Sequence, residues 1–250
     1  MSVYVIAEAG INHCGNMAAA RLMIQAAKDA GADAIKFQTY VTDRICRKDN
    51  PEYDMLKRCE LSYDQFRKLR ADCCVAGIDF ISTPDGIDDA RFLDTLGMRY
   101  MKIGSANKFY LSILPWVHTP LIVSMGMGAE AYYHPKIACR MHCVSSYPCP
   151  PEQANLKRVR GAVNGITGFS DHTAGSIAAV MAVARGATII EKHFTLNCYQ
   201  DGPDHHMSLM PGELGEYIAD VRQAYTMLGT GEQGIQPCEE STIHQLEARK

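Results

Sequence analysis

Two histidines, His172 and His193, are the residues whose type and spacing point most directly to chemistry. Each ends a short apolar segment that reads as a β-strand. Side chains at the ends of adjacent strands can approach a common point, and two imidazoles there suit a divalent transition metal with other positions open to water and substrate. A buried, hydrogen-bonded histidine pair is the alternative. The carboxylates of Asp171 and Glu191 beside them strengthen the metal hypothesis.

Two lysines also stand where apolar packing would not place them. Lys36 and Lys102 lie within predicted strands, and a buried ammonium group without a counter-charge is costly. An anion should therefore meet them. Internal carboxylates such as Glu8 and Glu191 could fill this role, and so could a substrate that carries phosphate or carboxylate groups. Hydroxyl groups near the same strand ends could assist binding, and these belong to Thr83, Ser105 and Ser170.

The elements that position these residues follow a repeated sequence pattern, in which a helical segment ends at a glycine and a short apolar strand follows. The pattern recurs at Gly31, Gly77, Gly97 and Gly186. Glycine is expected at these positions because it adopts the left-handed conformation that closes a helix. Strands with few polar interruptions are typical of a parallel sheet covered on both faces. Eight strands are predicted, at Tyr4–Ala9, Ala34–Thr39, Asp79–Thr83, Tyr100–Gly104, Leu121–Ser124, Ala138–Val144, Gly165–Ser170 and Ala187–Phe194.

Helices are predicted between most of these strands, at Met17–Ala30, Ser62–Ala76, Ile87–Leu96, Thr173–Arg185 and Pro211–Leu228. Eight strands in this alternation favour an α/β fold of the (β/α)₈ TIM-barrel type over an open doubly wound sheet. The connection after Ser124 is too short and too rich in glycine for a full crossover helix, so we predict a shortened connection between strands 5 and 6. The prediction for residues 1–250 is a single barrel domain whose tail, 229–250, is extended.

A barrel carries its chemistry at the carboxyl ends of its strands, where side chains two residues apart share one face. Every predicted strand of this chain ends in polar residues. For any one position a helix cap or a rim ion pair explains the polarity equally well, but eight such ends together indicate a functional site. The residues are Glu8, Lys36, Gln38, Ser82, Thr83, Lys102, Ser105, Ser124, His142, Ser145, Tyr147, Ser170, Asp171, His172, Glu191, Lys192 and His193.

Composition excludes several classes of function. The formal net charge of −3 with 21% charged residues gives no broad basic field, so nucleic acid and anionic membranes are poor partners. A segment resembling a signal peptide is not found at the start of the chain, and no apolar run reaches the roughly 20 residues of a membrane helix. Ten cysteines without a Cys-x-x-Cys pair favour small buried thiols over a zinc or redox site. We therefore expect a cytoplasmic protein.

An ordered series of motifs resembles the sialic acid synthase (N-acetylneuraminate synthase) family. It begins with the segment from Glu8 to His13 and ends with Asp201-Gly-Pro-Asp-His. Any one tripeptide is weak, whereas the ordered set from Tyr4 to about Glu240 is specific. Between the two ends lie Lys36-Phe-Gln, Ser82-Thr-Pro, Lys102-Ile-Gly-Ser, His142-Cys-Val-Ser-Ser-Tyr-Pro, Gly168-Phe-Ser-Asp-His-Thr and Glu191-Lys-His-Phe-Thr.

The resemblance implies a barrel that condenses phosphoenolpyruvate with N-acetylmannosamine or a related 2-acetamido sugar, giving a nonulosonic acid and phosphate. It implies that His172 and His193 hold Mn²⁺ or Mg²⁺, which polarises the sugar aldehyde, and that Glu8 handles the proton and water chemistry. Glu191 is the second predicted catalytic carboxylate. The predicted phosphoenolpyruvate ligands are Lys36, Thr83, Lys102, Ser105, Ser124, Ser145, Ser170 and Lys192, and the predicted sugar contacts are Gln38, Asn107, Tyr147 and Asp204.

Three departures from the family pattern leave alternatives open. The family's C-terminal antifreeze-like domain is expected to be missing after Lys250, Asn107 stands near a position where the family has a glutamate, and the connection after Ser124 is short. One alternative is the same chemistry on another aldehyde sugar, of legionaminic, pseudaminic or spore-coat type. Another is a catalytically weak barrel that binds ligands. The resemblance also allows a homodimer, with small molecules as the other partners.

Overall fold

The computed structural model describes residues 2–107, 110–129, 133–161 and 165–249, with the side chain of Tyr110 left out. Eight parallel strands form one sheet in the order β3-β2-β1-β8-β7-β6-β5-β4, and its end strands β3 and β4 pack side by side. The sheet therefore closes into the predicted (β/α)₈ barrel. The strands are β1 Tyr4–Gly10, β2 Ala34–Thr39, β3 Asp79–Pro84, β4 Met101–Ile103, β5 Leu121–Ser124, β6 Ile137–His142, β7 Ile166–Asp171 and β8 Ile189–His193.

The helices surround this sheet. All eight strands and the five predicted helices are found, with ends that differ by a few residues. Among the described residues, four short helices that the sequence pattern did not indicate are also present, at Thr42–Ile45, Tyr53–Cys59, Tyr110–Ile113 and Glu240–Glu247. In chain order the helices are α1 Met17–Asp29, α2 Thr42–Ile45, α3 Tyr53–Cys59, α4 Tyr63–Ala76, α5 Ile87–Asp94, α6 Tyr110–Ile113, α7 Ile177–Ala184, α8 Pro211–Met227 and α9 Glu240–Glu247.

Local sequence signals account for the best-defined helix, α4. The Ser62 side chain accepts a hydrogen bond from the backbone N–H of Gln65, and the Gln65 side-chain oxygen accepts one from the backbone N–H of Ser62, which forms a capping box. At the other end Gly77 closes the helix in the left-handed conformation. The strand β3 then begins two residues later, as the pattern of a helix-closing glycine followed by a strand predicts.

The helix α7 begins four residues later than the predicted Thr173, for a local reason. The carboxylate of Asp171 accepts hydrogen bonds from both the backbone nitrogen and the hydroxyl of Thr173, and this turn competes with helix formation. The carbonyls of Thr173 and Gly175 bond to the ammonium group of Lys192 instead of to a helix. The polar turn after β7 thus holds the end of this strand.

The connection between β5 and β6 and the C-terminal tail lie outside the regular strand–helix alternation. The short connection between β5 and β6 spans residues 125–136, and its described part contains turns and no α-helix, in agreement with the prediction. The tail expected to be extended contains a 3₁₀ turn, Pro237–Glu239, and the exposed helix α9. Among the described residues, none of the helices has the length and apolar character needed to cross a membrane.

Strand alternation divides the core into two parts. Val5 and Ala7 of β1 join the large cluster between sheet and helices, whereas Ile6 belongs to a smaller cluster inside the barrel. The inner cluster fills the lower part of the barrel, and on several strands the next inward position toward the carboxyl end is polar. Its members are Ile6, Ala34, Ile81, Ile122, Cys139, Met141 and Ile189.

Candidate active site

A cavity of about 470 Å³ opens at the carboxyl ends of the strands. It brings together residues from all eight strand ends, because each contributes the inward position that follows the inner apolar cluster. Fifteen of the sixteen side chains for which a metal, catalytic or binding role was predicted line it. They are Glu8, Lys36, Gln38, Thr83, Lys102, Ser105, Asn107, Ser124, Ser145, Tyr147, Ser170, His172, Glu191, His193 and Asp204.

Lys192 is the exception, and its predicted role is corrected. Because Glu191 and His193 point into the barrel, the residue between them must point outward. Its ammonium group lies 3.1 Å from Asp171 Oδ2 and 5.1 Å from the ring centroid of Tyr217, on the helix side of the sheet. Lys192 therefore holds the ends of β7 and β8 together from outside the cavity and cannot reach a ligand within it.

Four buried charged groups form a continuous chain across the cavity floor. Lys36 Nζ lies 2.8 Å from Glu8 Oε1 and 3.9 Å from Glu191 Oε2. Lys102 Nζ lies 3.2 Å from the other oxygen of Glu191. All four side chains are nearly inaccessible to solvent. The internal carboxylates thus serve as counter-charges for both lysines, which is one of the two sources of negative charge that the sequence allows. Both ammonium groups still face the cavity, where an anionic substrate could also meet them.

The two carboxylates have pKa values displaced in opposite directions. Burial raises the pKa of Glu8 to about 7, against the lowering effect of Lys36. Burial also acts to raise the pKa of Glu191, but Lys102, Lys36 and the Ser170 hydroxyl overcome it and hold the value at about 2. This separation of the two pKa values suits two different catalytic roles. Glu191 stays anionic, while Glu8 can gain and lose a proton near neutral pH.

The two histidines approach each other at the cavity wall, with ring centroids 5.6 Å apart. His172 Nδ1 lies 2.6 Å from the carbonyl oxygen of Val144. A carbonyl can only accept, so this nitrogen carries the proton and Nε2 keeps its lone pair when the ring is neutral. Burial lowers the pKa of His172, and burial together with His172 lowers that of His193. Both rings are therefore neutral at pH 7.

This arrangement fits a divalent metal held by two imidazoles. A metal-bound histidine commonly donates its second ring N–H to a backbone carbonyl, as His172 does. His193 Nδ1 is buried without a hydrogen-bond partner among the described residues, and its nearest carboxylate oxygen, on Asp204, is 3.9 Å away. Within the described chain no cluster of three or more histidine, cysteine or acidic side chains forms a closed cage. Two protein ligands leave positions for water and substrate.

Hydroxyl groups line the wall on the side of Lys102. Ser105 Oγ accepts a hydrogen bond from the backbone nitrogen of Gly126. Ser124 Oγ is buried without a hydrogen-bond partner within the described residues, and on the neighbouring strand β3 Thr83 accepts a bond from Lys36 at 3.0 Å. These groups, with the two lysines, are donors of the kind that hold phosphate and carboxylate oxygens.

Gly126 is expected to be intolerant of a side chain. A Cβ atom there would lie 2.7 Å from Ser105 Oγ, 2.7 Å from Cys143 Sγ and 2.9 Å from Ser145 Oγ, so the serine hydroxyls would have to rotate away. We expect Gly126→Ala to raise the KM for an anionic substrate of the cavity by about tenfold, equal to about 1.4 kcal/mol.

Gly212, in the first turn of α8, is the matched control for this substitution, because a Cβ there meets nothing within 4 Å. Steady-state kinetics of Gly212→Ala should match those of the unmodified protein. Equal KM values for the two alanine variants would show that the contact at Gly126 is unimportant.

Some residues of the cavity were missed by sequence reasoning. Met55, Leu56 and Glu52 line the mouth from α3 and its preceding turn, and Ile11 lines it from the loop after β1. Helix α3 lies in the connection between β2 and α4, outside the alternating strand–helix pattern. A local signal was present, since Asp54 precedes a short apolar pair and basic residues follow it, but nothing in the sequence indicated that the pair faces the mouth.

Comparison with known proteins supports this description. The profile of the NeuB family matches residues 23–233, which is most of the chain.

The chain belongs to the NeuB family.

Similarity to other members of the NeuB family extends over almost the whole chain. An uncharacterized protein of Methanocaldococcus jannaschii is 38% identical over 263 residues, covering 99% of this chain and 77% of the relative. The N,N'-diacetyllegionaminic acid synthase of Legionella pneumophila is 35% identical, covering 93% of this chain and 75% of the relative. The resemblance to sialic acid synthases is thereby confirmed, and this NeuB-family protein is an enzyme of that synthase-like group.

A solved structure shares the same fold. The N-acetylneuraminic acid (sialic acid) synthetase of Leptospira borgpetersenii, determined in complex with citrate, superposes with a TM-score of 0.86 at 29% identity. The match covers all of this chain and 94% of the other. The barrel architecture predicted from the strand pattern therefore holds for a solved protein of similar sequence.

Proposed function

We propose that this protein condenses phosphoenolpyruvate with the aldehyde of a 2-acetamido sugar such as N-acetylmannosamine, giving a nonulosonic acid and phosphate. The observation that carries the proposal is the chain Glu8–Lys36–Glu191–Lys102 on the cavity floor beside two neutral histidines. A simple binding protein has no need of two carboxylates with opposed pKa shifts next to two imidazoles. The relatives named as synthases of nonulosonic acids support the same reaction.

Phosphoenolpyruvate would be held by Lys36 and Lys102, with hydroxyl donors from the cavity wall. Binding exchanges internal ion pairs for contacts with the phosphate and carboxylate groups, so the donors are already oriented when the substrate arrives. The hydroxyls in this set are those of Thr83, Ser105, Ser124, Ser145 and Ser170.

The sugar would bind nearer the rim. Gln38 Nε2 lies 3.4 Å from Glu8 Oε1, and Asn107 donates to Asp85 at 2.9 Å. The ring of Tyr147 packs on His172 with centroids 4.3 Å apart, and the carboxylate of Asp204 lies on the His193 side. These polar groups suit hydroxyl and acetamido groups, and they would direct the aldehyde toward the two histidines.

The metal that fits His172 and His193, Mn²⁺ or Mg²⁺, would polarise the sugar aldehyde when bound. It would also offset an excess of negative charge, because carboxylates outnumber ammonium groups among the described residues of the cavity wall. A multiply charged anion such as phosphoenolpyruvate therefore binds more favourably when a divalent cation is present.

The chemistry then falls to the two glutamates. The third carbon of phosphoenolpyruvate attacks the aldehyde carbon, a carbon–carbon bond forms, and the second carbon becomes oxocarbenium-like. Glu191, anionic at all relevant pH values, stabilises this positive charge. Glu8 takes a proton from water as the water oxygen bonds to the second carbon. Cleavage of the bond between that carbon and the phosphate oxygen then releases phosphate, and the hydroxyl on that carbon loses its proton to become the ketone of the 2-keto acid. The two protons of the water end on the former aldehyde oxygen, which becomes a hydroxyl group, and on the released phosphate.

The test is phosphate release from phosphoenolpyruvate and N-acetylmannosamine with Mn²⁺, beside a chelated control. We expect release only when sugar, phosphoenolpyruvate and metal are all present. A panel of other acetamido sugars, including the legionaminic and pseudaminic acid precursors, identifies the preferred aldehyde. Binding of phosphoenolpyruvate and metal without turnover of any sugar would refute the proposal in favour of a ligand-binding barrel.

The pKa of Glu8 predicts the acid side of the pH profile. Because Glu8 must be ionised to accept a proton and burial raises its pKa to about 7, kcat/KM should fall as pH decreases through 7, approaching about tenfold per pH unit. The measurement is kcat/KM for phosphoenolpyruvate between pH 5.5 and 8.5. Glu8→Gln controls for ionisation of the substrate itself, since its residual activity should lack this limb. An identical limb in both proteins would assign the ionisation elsewhere.

A further inference from the structure

A pair of cysteines lies beside the cavity mouth without a part in the proposed reaction. Cys14, in the loop after β1, is exposed, whereas Cys59, the last residue of α3, is buried. The Cys14 side chain is close enough to contribute, after burial, to the raised pKa of the Cys59 thiol, about 11. The backbones also pass closely, because a Cβ on Gly15 would lie 2.0 Å from the carbonyl oxygen of Arg58 and 3.6 Å from Cys59 Cα.

A buried histidine faces the exposed thiol. His205 Nε2 lies 3.4 Å from Cys14 Sγ, and His205 Nδ1 lies 2.7 Å from Thr195 Oγ1. The Thr195 hydroxyl has its own acceptor, the carbonyl of Asn197 at 3.4 Å, so the histidine nitrogen is the donor to Thr195. This leaves the lone pair of Nε2 directed at the Cys14 thiol. An exposed thiol beside an imidazole that can accept its proton is a reactive arrangement.

Both cysteines are connected to the wall of the cavity. Cys59 packs in a small cluster with Ile11 and Tyr40, against which Met55 and Leu56 also pack. Ile11, Met55 and Leu56 line the mouth. On the other side His205 directly follows Asp204, a predicted sugar contact, and packs so tightly on Gly202 that a Cβ there would lie 2.4 Å from its ring. Cys14 thus lies where three segments of the rim meet.

We propose that Cys14 and Cys59 form a reversible disulfide when the protein meets a hydroperoxide, and that this bond alters the sugar side of the cavity. Small buried thiols are predicted from the sequence, which is correct for Cys59 and wrong for the exposed Cys14. The second part of the proposal rests on the proposed function, whereas the first does not.

The reaction balances with hydrogen peroxide as the oxidant. Cys14 loses its proton to His205 and attacks one peroxide oxygen; the O–O bond breaks, and the leaving hydroxide takes the proton back as water. Cys14 is then a sulfenic acid. The Cys59 sulfur attacks the Cys14 sulfur, an S–S bond forms, and the S–O bond breaks, with the Cys59 proton leaving in a second water. Two thiols are oxidised by two electrons in total, and the peroxide is reduced by two.

Bond formation must move the rim. A disulfide has an S–S distance of about 2.05 Å, shorter than any contact between two thiols, so the loop after β1 and the end of α3 are drawn together. Met55 and Leu56 lie within one turn of Cys59 and must shift with it. The ammonium groups of Lys36 and Lys102 lie on the strands below. We therefore expect a change in the KM for sugar without a change in the KM for phosphoenolpyruvate.

The experiment treats the reduced full-length protein with hydrogen peroxide, quenches with catalase, alkylates free thiols and maps peptides without reduction. A peptide linking Cys14 to Cys59, removed by dithiothreitol, is expected, and Cys14→Ser should abolish it. Cys238→Ser, at an exposed cysteine in the tail, should form the link normally. His205→Gln should slow its formation by about tenfold or more. Oxidation of Cys14 to sulfinic acid without the linked peptide, or linkage of Cys14 to another cysteine, would overturn the proposal.

Kinetics on the best sugar test the second part. Oxidised protein should show a KM for sugar raised by about tenfold, restored by dithiothreitol, and oxidised Cys14→Ser should behave like the reduced protein. Unchanged sugar kinetics in a sample carrying the full disulfide would refute the effect on the cavity. A protein without turnover on any sugar would refute the proposed function, and the peptide map would still decide whether the disulfide forms.

Discussion

Replacing His193 by alanine is expected to lower kcat by about a thousandfold, because a Lewis-acid metal contributes several kcal/mol of transition-state stabilisation and two imidazoles are its only proposed protein ligands. The side chain is buried at the mouth, with Nδ1 lacking a hydrogen-bond partner in the described part of the chain. Its removal therefore breaks no hydrogen bond of Nδ1 to the described residues, and the space that it leaves adjoins the existing cavity. The melting temperature should change by only a few degrees.

The measurement combines three readouts on His193→Ala: phosphate release, thermal unfolding, and Mn²⁺ binding by calorimetry. Loss of Mn²⁺ binding with preserved folding separates a ligand from a structural histidine. His244→Ala is the control, since this histidine is exposed on α9 and pairs only at 3.8 Å with Glu247. Turnover by His193→Ala within about tenfold of the unmodified protein would rule out the metal assignment.

The second large effect is expected at Lys102. Lys102→Met keeps the aliphatic stem but removes the ammonium group that lies 3.2 Å from Glu191 Oε1. Without it, one of the two cations proposed to hold phosphoenolpyruvate is lost. Among the described residues, Glu191 then keeps the Ser170 hydroxyl as a hydrogen-bond donor and the more distant Lys36 ammonium group, at 3.9 Å. We expect the KM for phosphoenolpyruvate to rise by about a hundredfold, which corresponds to about 2.7 kcal/mol.

Lys192→Met is the matched control, because both lysines are almost fully buried and each is paired with one carboxylate at a similar distance. Lys192 points to the helices, so its replacement should leave the KM for phosphoenolpyruvate within about threefold. It should instead lower the free energy of unfolding by about 3 kcal/mol or more, since Asp171 stays buried without its counter-charge. Urea unfolding and steady-state kinetics on both variants give the comparison, and a similar loss of substrate affinity in the two would contradict the assignment.

The strand pattern was enough to predict the barrel and most of the cavity. Strands of this fold are buried on both faces, so their apolar runs and closing glycines are readable locally. Residues such as Lys36 and Ser170 could be assigned because polar groups in those runs have few reasons to be there. The prediction for Asp204 rests on the resemblance to known synthases, and that for Asn107 rests on a position near which the family has a glutamate, since both residues lie in loops whose path the local pattern does not specify.

The predictions that the structure contradicts also have physical causes. Nearness to the strand end groups Lys192 with Glu191 and His193, although alternation along β8 places Lys192 on the opposite face. Met55 and Leu56 of α3 were missed because that helix is an addition to the strand–helix repeat. The predicted start of α7 is too early because Asp171, which accepts hydrogen bonds from Thr173, also pairs with Lys192 in a tertiary contact that the local sequence does not show.

The alternation along β8 also has a consequence for how the protein tolerates variation. Neighbouring positions at the end of this strand are under different selection. Substitutions at Glu191 and His193 remove activity from a protein that still folds and accumulates, whereas substitutions at Lys192 destabilise the protein and lower its abundance. A library that scores abundance and product formation separately would therefore show loss of product formation at Glu191 and His193 and loss of abundance at Lys192. A screen for product alone would record three equally essential positions in a row and hide the reason for each.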